Sequence, residues 1–403
     1  MVLSSKARRR PDLVSKQRRH KPDYWLPMIA TALLGMGLVV VYAISPGVSA
    51  IEHVSEAYFI NKQLIAIVLG VFAFIIMSKV KYTYWRRAVR PLLLASITAA
   101  LLVQFAGTKV YGASRWIQIG GISFQAAELI KFTLLIWIAD LLSQLKKSGK
   151  LYDHKAALKP LAITLMVIAI VVGIMESDFG SMTVMICMTG AMMFMIGMPL
   201  KKLLLIAVGI VAIGMLLISS TPYRRQRLAT FLHPSADCQT TGYQSCQALI
   251  AVGSGGMFGL GLGKSVQAYG YLPKATNDSI FAILAEKFGF VGMVVILGAY
   301  AVFFGRLAKI AENAPDDFSN LLVTGILAWF SVQAIINIGA MIGLLPLKGI
   351  TLPFVSYGGT SLLFVTGALG LAFQISRYSI YGASKTQSLT RETVGENTSY
   401  WRR

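Results

Sequence analysis

Asp278 closes the segment Tyr271-Leu272-Pro273-Lys274-Ala275-Thr276-Asn277-Asp278 and stands just before a long apolar run. At the mouth of a membrane span water thins out, and a carboxylate holds its proton more tightly. An acid so placed can serve as general base on a hydroxyl; it can equally be a solvated loop residue or a helix N-cap. Glu128 and Lys131 are three apart at a helix start, so they can pair on one face at the membrane edge. They read as functional groups or as an interfacial pair that orients the helix. Glu176 and Asp178 share the short connection Glu176 to Gly180. Two carboxylates so close favour a cation, a basic partner or a shared proton, or they cap the next helix. Arg224, Arg225 and Arg227 lie where an apolar run ends. They can fork onto a diphosphate or snorkel to lipid headgroups.

Two further stretches concern backbone. The glycines from Gly253 to Gly263 allow close approach of chain to chain. No surrounding βαβ unit supports a dinucleotide fingerprint, and turns with helix packing are the alternative role. Pro346 to Ser361 is dense in proline and glycine. Irregular backbone at membrane depth survives only when buried in protein or lining a cavity. This segment is therefore expected to face the same cavity as Asp278.

These residues must be held by membrane helices. The chain is 55% hydrophobic and 14% charged, against about 25% charged in soluble domains. Several windows reach the length that spans a bilayer. The composition predicts an all-α polytopic protein with ten spans, near 24–44, 59–77, 91–105, 129–145, 161–175, 182–198, 203–219, 288–304, 321–340 and 361–376. Residues 1–23 read as a basic tail, 377–403 as a second tail, and about 220–287 as a long loop between the seventh and eighth spans. Val48-Ser49-Ala50 resembles a cleavage site, but the run before it is too long for a signal peptide's core. An amphipathic stretch is expected over 115–125. With the N-terminus placed in the cytoplasm, 27 of the 38 lysines and arginines fall inside and 8 outside. The positive-inside rule then puts both termini in the cytoplasm and the long loop outside. The same rule accounts for the net charge of +21 without nucleic acid. Cys187 lies in an apolar run and reads as a core residue. Cys238 and Cys246 share the outside loop; a disulfide and two free thiols are both compatible with that spacing. No Cys/His metal cluster is visible. The residues alone describe an outward-facing polar cavity with acids and arginines. That suits an enzyme acting on a lipid-linked diphosphate, and it suits a transporter or flippase of an amphipathic anion.

Four blocks carry a family resemblance. Leu352-Pro353-Phe354-Val355-Ser356-Tyr357-Gly358-Gly359-Thr360-Ser361 resembles the signature of the SEDS family (shape, elongation, division and sporulation). Arg115-Trp116-Ile117 with Gln125 and Glu128, Ser177-Asp178-Phe179-Gly180, and Tyr271 through Asp278 with Ile280-Phe281-Ala282 and Glu286 to Gly292 resemble its other blocks, in family order. The likeness covers roughly residues 24–380, and the run Gly261 to Gln267 is closer to the division members than to the elongation members. Such a protein would be a peptidoglycan glycosyltransferase that polymerises lipid II outside the bacterial cytoplasmic membrane, at the septum for a division member. It would work with a class B penicillin-binding transpeptidase and other divisome proteins. Asp278 would be the essential acid. Arg115, Glu128, Lys131, Asp178, Arg224, Arg225, Ser356, Tyr357, Gly358 and Gly359 would contact substrate. The resemblance leaves room for a divalent cation, magnesium or manganese, and for no organic cofactor. A flippase and a non-catalytic divisome scaffold are the competing functions. The sequence departs from the family blocks at Ala126-Ala127, at Lys274 in place of an acid, at Thr276-Asn277 and at Ser279.

Overall fold

The computed structural model describes residues 21–110, 113–119, 122–199, 201–202, 204–206, 208–209, 231, 238–240 and 242–379. The elements, in order, are α1 (Trp25–Ile51), α2 (Tyr58–Lys79), α3 (Trp85–Ala106), β1 (Thr108–Val110), β2 (Ala113–Ile119), β3 (Ile122–Gln125), α4 (Ala126–Lys147), α5 (Lys159–Ile168), α6 (Phe179–Met195), α7 (Tyr243–Ser254), α8 (Ile280–Glu312), α9 (Asp317–Met341) and α10 (Gly359–Ser376). A π-helical turn, Ala169–Met175, extends α5. Among the described residues, seven helical segments are long and apolar enough to cross a membrane, and α6 is a shorter apolar helix. The expected seventh span, 203–219, lies largely outside the described residues.

Three expectations change. The all-α reading gives way to a small antiparallel sheet of order β1-β2-β3. The amphipathic stretch 115–125 forms the β2–β3 hairpin of that sheet, with Trp116 opposite Gln125 and Ile117 opposite Phe124. Ile117 and Phe124 pack on Ala99, Val103 and Ala126, so one face of the hairpin is buried on α3 and α4. Cys187 is exposed rather than in the core. The third change concerns the eighth span, which begins at Ile280 rather than Phe288. Glu286 and Lys287 look like a boundary in the sequence, yet both are buried. The Glu286 carboxylate accepts the backbone N–H groups of Val266 (2.8 Å) and Gln267 (3.1 Å), and Lys287 donates to the Leu262 carbonyl (2.6 Å).

Just beyond them α8 breaks at Gly289, whose φ of 63° and ψ of −167° are non-helical. The backbone groups freed by the break are taken up by the glycine-rich loop: Leu260 N donates to Glu286 O, Gly261 N to Lys287 O, Phe290 N to Gly256 O and Val291 N to Met257 O. A side chain at Gly259 or Gly289 would overlap the facing backbone. The glycines of this loop are thus a packing device, and irregular backbone is sheltered by protein.

Small residues also bring α2 and α10 together. A Cβ on Gly370 would lie 2.6 Å from the Phe74 carbonyl oxygen, and one on Gly70 2.8 Å from Thr366 Oγ1. At the far end of α8 from Asp278, Arg306 pairs with the buried Asp23 at 2.6 Å, and the Asp23 N–H donates to Ser376 Oγ. Asp316 caps α9 through Ser319 and accepts from the Tyr82 hydroxyl. That end of the bundle is closed by these ties.

Candidate active site

The opposite end holds a cavity of about 970 Å³. Asp278 lies in its wall, in the turn that precedes α8. The N-cap position falls on Ser279, so capping is not the task of Asp278. Burial pushes the Asp278 carboxyl up to about 6, Lys274 and Arg115 draw it down, and Asp178 pushes it further up. The turn is held from several sides. Asn337, inside α9, donates to the carbonyls of Asp278 (2.7 Å) and Ile350 (2.6 Å). Ser356 donates to Asn277 O at 2.7 Å and accepts from Leu352 N at 2.7 Å, and the Tyr357 N–H donates to Thr276 O at 2.9 Å.

The proline- and glycine-rich segment before α10 is itself anchored. Phe354 adopts a left-handed φ of 66°. Its ring sits 5.4 Å from that of Phe303 and 5.6 Å from that of Phe330. Aromatic packing in a buried cluster compensates a backbone conformation that L residues avoid. Gln333 of α9 donates to the carbonyl and hydroxyl of Thr351. The Thr360 hydroxyl donates to Ser123 O at 2.6 Å, which ties the segment to the β2–β3 hairpin.

Arg115, Glu128, Lys131, Asp178, Tyr357, Gly358 and Gly359 line the same cavity as Asp278. Ser356 does not; it stands behind the wall and braces the Asp278 turn. Arg224, Arg225 and Arg227 lie outside the described residues. Arg115 spends its guanidinium on the α5–α6 connection, Nε donating to Glu176 O (2.9 Å) and Nη2 to Ser177 O (2.6 Å). Lys131 and Glu128 form a buried ion pair at 2.8 Å, with the Glu128 Oε2 atom unpartnered among the described residues. Asp178 is the N-cap of α6, accepting from Ser181 N and Oγ and from Gln125 Nε2. Its capping and its cavity position are both real. Glu176, almost fully buried, keeps both carboxyl oxygens without a partner among the described residues. Burial, then Asp178, pushes it up to about 8. Cys238 and Cys246 are joined in a disulfide with Cα atoms 5.7 Å apart.

The residues from 24 to 381 match the family model described as cell cycle protein, which spans FtsW, RodA and SpoVE. The chain belongs to this family. A probable peptidoglycan glycosyltransferase FtsW of Saccharophagus degradans is 36% identical over 367 residues, 90% of this chain and 94% of that one. Among solved structures, a chain from a peptidoglycan synthase complex that coordinates polymerization and crosslinking superposes with a TM-score of 0.73 at 26% identity, covering 88% of this chain and 98% of that one. RodA of Thermus thermophilus superposes with a TM-score of 0.65 at 25% identity over 90% and 98% of the two chains.

Several cavity residues escape a reading by motif. Lys62 of α2, Lys274, Lys348, Gln333 and Asn337 all line it. Gln333 and Asn337 could have been found as polar side chains within an apolar span, where such groups are costly and seldom idle. Lys62 and Lys348 carry no such signal, because lysines at span edges are common. Among the described residues, no group of three or more His, Cys, Asp and Glu side chains converges. The described side chains do not by themselves form a cation site.

Proposed function

We propose that this protein is a peptidoglycan glycosyltransferase of cell division, polymerising lipid II at the outer face of the bacterial cytoplasmic membrane. The observation that carries the reaction chemistry is the convergence of Asp278 with cationic and apolar walls in one cavity. Lys62, Arg115, Lys131, Lys274 and Lys348 supply positive charge around it, which suits a diphosphate. Ile65, Ala66, Leu69 and Leu363 supply an apolar wall, which suits a polyprenyl chain. A lipid-linked sugar diphosphate needs both.

In this reading Asp278 accepts the proton of the acceptor sugar's 4-hydroxyl. The oxygen bonds to the donor's anomeric carbon as the bond from that carbon to the undecaprenyl diphosphate breaks, and the diphosphate leaves with the electron pair. One displacement inverts the anomeric centre, so one base and a good leaving group suffice. A pair of carboxylates at the spacing of retaining hydrolases is not required. Cations in the wall stabilise the departing charge. Arg224 and Arg225 remain candidates for that role beside Arg115 and Lys131. A raised carboxyl near 6 leaves Asp278 ionised at neutral pH yet basic enough to take a proton.

Both termini in the cytoplasm, the Cys238–Cys246 loop outside, a septal location and a class B penicillin-binding transpeptidase as partner complete the proposal. The disulfide supports the outside placement of that loop. The partner is supported by the structural relative drawn from a complex of polymerization and crosslinking. The test is to give purified protein, with its cognate transpeptidase, lipid II in detergent, in magnesium, in manganese and in chelator. Detergent leaves no membrane to cross, so glycan strands report polymerisation alone. A flippase or a scaffold would leave lipid II unreacted.

A further inference from the structure

α7 is a helix of 12 residues, a length at which helix formation alone is marginal in water. Its two ends are held by different devices. At the C-terminal end Gly255 lies against α8, where a Cβ would overlap the Ala285 carbonyl oxygen. At the N-terminal end no side chain caps the helix at Gly242. What ties this end is covalent. Cys246, buried in the first turn, is bonded to Cys238 across a sequence separation of 8. Its N–H donates to Gly242 O at 2.9 Å. A disulfide demands a narrow range of Cα separations, so the bond fixes where the incoming chain meets the first turn of α7.

The residues closed in by this bond face the reaction. Thr240, Tyr243 and Gln244 line the cavity together with Asp278. Gln244 also reaches the turn that carries Asp278. Its Nε2 donates to Ser279 Oγ at 3.1 Å, and that hydroxyl donates to Pro273 O at 2.9 Å. The N–H groups of Asn277 and Ser279 both donate to the Lys274 carbonyl, at 3.0 and 3.2 Å. Asp278 stands between these two residues. Ser279 is fully buried, so bulk water does not replace a partner lost there. A continuous path of contacts thus runs from the disulfide through the first turn of α7 and Gln244 to the Asp278 turn. Asn337, Ser356 and Tyr357 hold the same turn from α9 and from the segment before α10. Loss of the α7 tie should therefore loosen the turn without releasing it.

We propose that the Cys238–Cys246 disulfide is a positioning element of this site: it fixes the first turn of α7 so that Gln244 holds Ser279, and through Ser279 the turn that presents Asp278. Its effect on the reaction rests on Asp278 acting as the base. The mechanical tie between the disulfide and the turn does not.

The experiment takes two readouts on the full chain with its cognate transpeptidase: amide hydrogen exchange at Asn277 and Ser279, and steady-state polymerisation of lipid II. Wild type is compared with Cys238→Ala/Cys246→Ala, Cys238→Ser/Cys246→Ser, Gln244→Met, and Gln244→Met combined with each cysteine pair. Two disulfide-free pairs are included so that one failing to fold leaves the other. Gln244→Met keeps the disulfide and cuts the same path one step later. Exchange at the two amides should rise about tenfold in every variant. The kcat should fall about tenfold, with a smaller change in KM. The combined variants should be no worse than the single changes, because both break one path. Unchanged exchange, losses that multiply in the combined variants, or a rise in KM with kcat kept would each overturn the proposal. The disulfide would then be a stabiliser of the loop alone, or Gln244 a substrate contact. Asp278→Asn is run beside them. If it polymerises at the wild-type rate the base assignment fails, which is a separate result, and hydrogen exchange still decides whether the disulfide holds the turn.

Discussion

Burial pushes the carboxyls of Asp278 and Glu176 upward, but to different sides of neutral pH. Asp278 meets the cavity, and its carboxyl is pushed only to about 6. As the ionised form is the base, polymerisation should fall as pH drops through about 6 and be flat above it, until substrate groups titrate. A pH–rate profile with no acid limb in that region would contradict the assignment. Glu176 is more deeply buried, without a partner among the described residues, and pushed to about 8. Between the ordinary carboxylate range and that value the folded chain holds a proton that the unfolded chain releases. Stability therefore falls as pH rises through this window. Glu176→Gln should flatten the dependence of melting temperature on pH and raise the melting temperature near neutral pH. A variant that melts earlier at every pH would show that Glu176 serves as a charge. The place of Asp278 at a cavity mouth was legible in its position before an apolar run. The isolation of Glu176 was not, because sequence cannot show that no donor reaches it.

At the scale of elements, the apolar runs announced most helices, since bilayer thickness fixes their length. The hairpin of β2 and β3 was hidden because its face packs on α3 and α4, contacts distant in sequence. The early start of α8 was hidden for a related reason. Glu286 and Lys287 mimic a span edge but are satisfied by the glycine-rich loop. This makes Gly289 a position where the fold depends on one residue. Gly289→Ala would force a Cβ into the Gly259 and Met257 backbone at a left-handed φ. A loss of about 1–3 kcal/mol is expected, read as a lower melting temperature in detergent. Asn337 offers a complementary test. Asn337→Leu leaves the Asp278 and Ile350 carbonyls without their donor, at about 1–3 kcal/mol for a buried unsatisfied group. The kcat for polymerisation should fall more than KM rises, because the residue positions the base and does not hold substrate.

Across the whole molecule, one end of the bundle is tied shut by Asp23, Arg306, Ser376 and Asp316, and the other opens as the cavity. In the orientation we propose from the charge bias of the sequence, the tied end faces the cytoplasm and the cavity faces outside. Single cysteines placed at Asn313 and Tyr271 should then react with an impermeant thiol reagent from the inner and outer faces respectively. The reverse pattern would invert the orientation. Which residues meet in the cavity was partly legible: motif residues as far apart as Arg115, Asp178, Asp278 and Gly358 do converge. The lysines that complete its positive wall came to light only through the fold.

The central claim is that Asp278 performs the chemistry of strand synthesis. Its most direct test is polymerisation of purified lipid II by wild type and by Asp278→Asn, each with the transpeptidase and each shown to be folded and to bind lipid II. The account predicts glycan strands from wild type and a loss of at least about 100-fold in Asp278→Asn with binding retained. Strands of equal length and rate from both proteins would contradict it, and would move the search for the base to Glu128 and Asp178.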